Sequence, residues 1–438
     1  MSRPQLPLVM PAVPDQRWDC HSCTRCCREL VGDLRDEDRR KIDAENWADR
    51  LGVAPYVSVG RKWALNKRDD GACVFLLDDG RCRLHAELGF DAKPFACRVY
   101  PFTLTESDGK WLTAWRFDCP SIARSRGRDI TVHRKMLNKF RPELPRRVSA
   151  GDETVELTRR RPTARGEIDA LLDRLNTWLG DDTRSFADRM AGAASLVDTL
   201  RAANLSAVRE QRFAELIDML MTDLPAAVDE QSKAPPTSRQ QAMFRQLVFA
   251  HTEHLTLGEI RSRLTRTTRR FRQLRRSRQF RRGVDRVPPL PGSDAKTTFA
   301  EVDRVLPAVD DAGEIVSIAG RFVRTRLLSR YQFGERYYGW PVLDGLGALW
   351  MSVAVLGWLA RYFAAARRAE CVTTPDVVHG LALVDGAIGR SASLGTTGER
   401  LRLEFLAREE GIARLLGHWR LVDPMRGTGP TQPTESST

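Results

Sequence analysis

Residues 168–179 read Ile-Asp-Ala-Leu-Leu-Asp-Arg-Leu-Asn-Thr-Trp-Leu. Ile168, Leu171, Leu172, Leu175, Trp178 and Leu179 recur at steps of three and four, the spacing of one face of an α-helix. After the Gly180-Asp181-Asp182 break the pattern resumes with Phe186, Met190, Ala193 and Val197. A third stripe runs through Phe213, Leu216, Ile217 and Leu220, and a fourth starts at Met243, Phe244, Leu247 and Val248. Such stripes, joined by short connections, predict antiparallel helices packed on shared apolar faces. Val287-Pro288-Pro289-Leu290-Pro291-Gly292 interrupts the series, and a second helical stretch is expected up to about residue 421.

Toward the N-terminus the texture changes. Turn signals crowd together at Asp69-Asp70-Gly71, Asp78-Asp79-Gly80 and Glu106-Ser107-Asp108-Gly109. Residues 110–117 alternate like a strand after the last of these turns. Residues 33–49 look helical, with acids at the start. The fold class expected is mainly α, with a small irregular α+β cysteine-rich metal-binding domain at the N-terminus followed by an all-α helical region. The divisions read as 1–14, a flexible lead; 15–125, the cysteine-cluster domain; 165–260, helical; 261–292, an arginine-rich segment and proline-rich linker; 293–421, the C-terminal helical region; and 422–438, a disordered tail.

Composition narrows the classes. Of 438 residues, 42% are hydrophobic and 29% charged, which excludes a disordered chain, a collagen-like fibre and a polytopic membrane protein. Prolines at 4, 7, 11 and 14 interrupt the opening residues, so no unbroken apolar core of a secretory signal is found there. A cytoplasmic, reducing location is expected, where clustered cysteines read as metal ligands rather than disulfides.

Eight of the nine cysteines fall between Cys20 and Cys119. The first group is Cys20-x2-Cys23-x2-Cys26-Cys27, and the second is Cys73, Cys82, Cys97 and Cys119. Thiolates two residues apart can turn back onto one metal ion. Adjacent side chains diverge, so Cys26 and Cys27 either serve two sites or divide into a ligand and a structural or reactive thiol. Two four-thiolate sites, or one 4Fe–4S cluster with a zinc site or spare thiols, remain open on spacing alone. His21 and His85 could replace a cysteine, but a surface or supporting position suits them better.

These residues carry a resemblance. The run CHSCTRCC, Cys73-Val74-Phe75-Leu76, Gly80-Arg81-Cys82-Arg83-Leu84-His85, Lys93-Pro94-Phe95-Ala96-Cys97-Arg98-Val99-Tyr100-Pro101-Phe102 and Asp118-Cys119-Pro120 resemble the YkgJ-type cysteine-cluster family of zinc- or iron-chelating domains. The resemblance implies metal ligation at Cys20, Cys23, Cys26, Cys27, Cys73, Cys82, Cys97 and Cys119. More distantly, the length and the pairing of a cysteine cluster with a long helical region are similar to bacterial flagellin lysine-N-methylases. That likeness implies a protein-lysine N-methyltransferase using S-adenosylmethionine, with a protein substrate such as flagellin. The spacing differs from it, since the first cysteines here stand closer together. No G-x-G-x-x-G follows a strand, and Gly345-x-Gly347 lies in an apolar helical run, so a dinucleotide-type cofactor fold is not expected.

The formal net charge of +13 is local. Residues 1–120 hold 19 basic and 19 acidic side chains, whereas 261–286 hold 12 arginines and one acid, Asp285. Nucleic acid or an acidic partner is a candidate for that segment, against the plainer reading of a solvated basic helix. Residues 345–360 carry no charge over 16 positions, short of the roughly 20 a membrane span needs, and read as a buried core helix. His251 and His254 share a helical face without the H-E-x-x-H pattern, and Cys371 reads as a small buried residue.

Overall fold

The computed structural model describes residues 6–107, 109–144, 155–231, 234–253, 257 and 264–423. The architecture is mainly α, with short strands confined to its first part. The helical stripes become Arg165–Leu179, Phe186–Ala202, Glu210–Gln231 and Ser238–Thr252. Their ends follow local chemistry. Ser185 caps the second helix by accepting from Asp188 N at 3.1 Å. Thr237 and Gln240 form a reciprocal capping box at the fourth.

Val342–Ala366, at 25 residues, is the axis of the body. It is the one described helix long and apolar enough to cross a membrane, yet 94% of its most apolar window is buried in the protein. Phe186–Ala202, Thr374–Ala387 and Gly411–His418 pack around it. Gly357 sits where a Cβ would collide with the Trp419 carbonyl oxygen, so a hydrogen there lets the terminal helix close on the axis. Trp350, Trp358 and Trp419 are fully or almost fully buried. The core-helix expectation for residues 345–360 therefore describes the observed packing.

The cysteine-rich part contains the hairpin Phe102–Ser107 and Lys110–Trp115, and a second sheet of Asp33–Leu34, Lys62–Leu65 and Tyr56–Val59. The helix expected over 33–49 is broken. It becomes the strand Asp33–Leu34, the helix Asp36–Ala44 and the helix Trp47–Leu51. Asn46, in a left-handed conformation (φ 51°), makes the second break.

Two of the expected boundaries move. Residues 1–14 were expected as a flexible lead, but Leu8–Val9 pairs in parallel with Trp111–Leu112 and Val13 is buried. The pairing gives backbone partners to the stretch between Pro7 and Pro11, with Trp111 N donating to the Pro7 carbonyl at 2.8 Å. Of the expected tail, Val422 is buried and bridges Ala308, and residues 424–438 lie outside the described residues.

Packing does not stop at residue 125. One large apolar core runs from Val13, Phe95, Trp115, Phe117 and Ile122 through the helices to Val422. A smaller core holds Leu34, Ile42, Trp47, Leu65, residues 72–76 and Leu84. The seam between the two cores passes through the cysteine region.

Candidate metal centre

The first knuckle begins with two residues in left-handed conformations, Ser22 (φ 51°) and Thr24 (φ 63°). They turn the chain sharply between Cys20 and the short helix Arg25–Glu29, which carries Cys26 and Cys27. The two adjacent sulfurs stand 3.9 Å apart. The 77–80 turn closes over this knuckle. At Gly80 (φ 82°) a Cβ would approach the Ser22 carbonyl oxygen to 3.0 Å.

Backbone pairing brings in the second group. Cys73 N donates to the Cys27 carbonyl at 2.8 Å, fixing two cysteines 46 positions apart side by side. Lys67 Nζ donates to the same carbonyl at 2.6 Å and to that of Arg28 at 3.3 Å. Cys82 precedes the helix Arg83–Leu88 and bridges Leu76. Cys97 lies in the helix Phe95–Val99, which Asp38 Oδ1 holds by accepting from Phe95 N at 3.0 Å. Arg98 braces the same helix with a two-pronged bond to Glu143, at 3.1 and 2.7 Å.

Electrostatic neighbourhoods divide the thiols. Burial pushes the Cys97 thiol up to about 12, and Cys73, Cys82 and Cys26 add to the rise while Lys93 opposes it. Burial likewise raises Cys73, with Cys82 and Cys26 contributing. The contact with Cys27 and then burial raise Cys26 strongly. On the other side, burial raises Cys23, whose thiol neighbours are Cys26 and Cys20. Cys119, pushed up to about 11 by burial, has Cys23 beside it. One neighbourhood is thus Cys73, Cys82 and Cys97; the other is Cys20, Cys23 and Cys119. The Cys26-Cys27 pair lies between them. All nine cysteines are free thiols.

The donor chemistry fits a soft metal. Thiols that raise one another in a buried setting ionise readily only beside compensating positive charge. Among the described residues, however, no three Cys, His, Asp or Glu side chains already converge on a single point. The thiols are gathered by neighbourhood and not drawn into a closed shell.

A polar strut ties this region to the helical body. Cys119 precedes the helix Pro120–Ala123, whose Ala123 carbonyl accepts from Arg321 at 2.8 Å. The neighbouring Asp118 accepts from Tyr100 and Arg116, both at 3.1 Å, and from Arg390 at 3.4 Å. Burial opposes its ionisation, but Arg116 and Arg390 outweigh burial and hold the carboxyl below its ordinary range. Phe117 N donates to Asp385 Oδ2 at 2.9 Å, and Arg326 Nε to Asp385 Oδ1 at 3.0 Å.

Residues 19–119 match the CxxCxxCC family, described as a putative zinc- or iron-chelating domain. The match opens one residue before Cys20 and ends on Cys119. The CxxCxxCC segment therefore contains all eight clustered cysteines and excludes Cys371 and the helical body. No curated protein and no solved structure matches the chain.

The remaining candidates separate from the CxxCxxCC segment. His85 is exposed and packs edge-on against Phe90, 5.8 Å between ring centres. His21 Nδ1 stands 3.1 Å from the Ser121 hydroxyl. His251 is buried, with Nδ1 donating to Leu247 O at 3.0 Å; His254 lies outside the described residues. Cys371 is half-buried beside Leu306, with which it makes a parallel bridge. Sequence reading missed Lys67, Lys93, Asp118, Asp385 and Arg390 as neighbours of the thiols or of their supports. Lone charged residues at such separations carry no spacing signal; of these, Lys93 and Asp118 stood in the quoted runs around Cys97 and Cys119.

Proposed function

We propose that residues 19–119 chelate zinc or iron through two thiol groups. Cys27, Cys73, Cys82 and Cys97 would form the inner group, and Cys20, Cys23, Cys26 and Cys119 the outer one. The observation that carries this reading is the mutual neighbourhood of Cys73, Cys82, Cys97 and the Cys26-Cys27 pair. These five thiols come from distant stretches, and burial, with Cys82 and Cys26 adding to it, raises the proton affinity of Cys73 and Cys97. A bound metal supplies the positive charge that lets them ionise. The protein's own part is to hold them: the Cys73 N to Cys27 O bond sets the inner group, and the strut at Asp118 and Phe117 fixes the end of the outer one.

A 4Fe–4S cluster is the finer form of this proposal. Four thiolates suit such a cluster as well as they suit zinc. Metal and acid-labile sulfide analysis after anaerobic purification distinguishes the two. About four irons with four sulfides would establish a cluster, and one or two zincs without sulfide would establish thiolate zinc. Protein free of both metals would overturn chelation.

Methyl transfer in the manner of flagellin lysine-N-methylases rests on resemblance. A lysine acceptor must be neutral to attack, which calls for a desolvated site or a nearby base. Cavities of about 350 Å³ beside Phe280 and about 420 Å³ beside Trp47 exist, and none of the eight cysteines lines either. Calorimetric titration with S-adenosylmethionine decides this reading: saturable binding supports it and absence of heat removes it. The non-catalytic alternative, a chelating module carrying an anion-binding arginine segment, shares the same metal assignment.

A further inference from the structure

We infer that the helix Leu264–Arg282 is a docking surface for the phosphate backbone of nucleic acid. In 19 residues it carries nine arginines and no acid. At 1.5 Å per residue it extends about 28 Å, the length of several nucleotides. Like charges three and four residues apart destabilise a helix, so this composition works against the helix in isolation.

The body holds the helix by one side. Phe280 is fully buried, edge-on to Phe299 at 5.5 Å. Arg245 donates to the carbonyls of Phe280 and Arg281, at 3.1 and 3.4 Å. Gln246 donates to Ser277 Oγ at 3.2 Å. With that side fixed, Arg275, Arg278, Arg281 and Arg282 are exposed. Arg275, Arg278 and Arg282 follow at three- and four-residue steps and so share a face.

Elsewhere a number of arginines meet carboxylates. Arg326 meets Asp385, Arg174 meets Asp218, and Arg201 meets Asp198. Among the described residues no carboxylate pairs with Arg275, Arg278, Arg281 or Arg282. A rigid, unneutralised row of guanidinium groups matches a row of phosphates, which arginine grips in two-pronged fashion. A lipid surface fits less well. Insertion needs a broad apolar face, and among the described side chains of this helix the exposed large apolar ones are only Phe271 and Leu274. Phe271, 71% exposed and flanked by Arg270 and Arg272, offers its ring instead as a stacking surface for an unpaired base.

The test uses the full chain and fluorescence anisotropy with labelled 20-nucleotide probes, one a DNA duplex and one a single-stranded RNA. If four phosphates are engaged, affinity should fall about a hundredfold between 50 and 200 mM salt, independent of sequence. The triple variant R275Q/R278Q/R282Q should bind about tenfold or more weakly with a shallower salt slope. These side chains are exposed, and circular dichroism on the variant checks its fold. F271A should weaken the single strand and leave the duplex unchanged; if both arms weaken equally, stacking is refuted. Metal content measured on the same samples keeps the chelation proposal separate. Unchanged affinity in the triple variant, or binding to phosphatidylserine vesicles with none to either probe, would overturn the inference.

Discussion

The backbone N–H of Phe117 and the carboxylate of Asp385 are joined at 2.9 Å across 268 positions of chain. The same carboxylate, fully buried, is ion-paired with Arg326. A single side chain of the helical body therefore holds the strand exit that leads to Asp118 and Cys119.

Removing that side chain tests the strut. Asp385→Ala leaves Arg326 buried without its partner, and breaking such a pair costs about 3–5 kcal/mol. Asp385→Asn retains an acceptor for Phe117 N and should cost less. Denaturant unfolding measures both. In the milder variant, zinc or iron should pass faster to a competing chelator. Unaltered release kinetics would show that the strut does not reach the thiols.

The thiol groups should differ in response to serine. Cys97→Ser and Cys73→Ser place hydroxyls in the buried inner group, and each should remove about one metal equivalent or one cluster. Cys20→Ser, at an exposed position, should retain more metal. Cys371→Ser should match the parent in metal content. Equal stoichiometry across all four variants would contradict the ligand assignment, and elemental analysis reads it directly.

His251 should shape the acid limb of stability. Burial pushes its pKa down to about 4, below the ordinary 6.5. Between these values the unfolded chain takes up a proton that the folded one refuses. Stability is therefore intact above pH 6.5 and lost as pH falls toward 4. Over pH 7 to 4.5 the loss from this residue is about 2 kcal/mol. His251→Gln should flatten the acid limb by that amount; an identical pH profile would refute the assignment.

Asp198 acts in the opposite direction. Burial lifts its carboxyl to about 7, against the pull of Arg201 and with Glu410 adding to the rise. The folded state holds this proton more tightly than the unfolded one. Its contribution is full below pH 3.8 and is lost as pH rises through 7. Relative to the parent, Asp198→Asn should gain about 3 kcal/mol in stability on passing from pH 5 to pH 8. Parallel stability curves would rule this out.

The helical body was legible because its apolar spacing repeats: Ile168, Leu171, Leu172, Leu175 and Trp178 all face the core. Sixteen uncharged residues also sufficed to mark the central helix. The opening strand was not legible. Leu8–Val9 is ordered by pairing with Trp111–Leu112, a partner about a hundred residues away, and local sequence carries no trace of it. In the cysteine region the candidate donors could be found by spacing, but their neighbourhoods could not. The bond from Cys73 to Cys27 follows from the path of the loop at Lys67, and the strut follows from Asp385, far along the chain. Periodicity reports which face of an element is buried, not which distant residue arrives there.

The continuous core has a practical meaning for anyone wishing to borrow the chelating segment. Read along the chain, residues 19–119 look portable, a cassette that could be moved between proteins. In three dimensions Phe95, Phe102, Trp115 and Phe117 are packed into the same core as the helices. Excising the cassette would strip those four aromatic rings of their cover, turning an interior into a sticky surface. The smaller core around Trp47 and Phe75 would travel with it intact. Cys27, Cys73 and Cys82 would keep the cover of that smaller core, while the helix that carries Cys97, braced by Glu143, and Cys119 lean on the host.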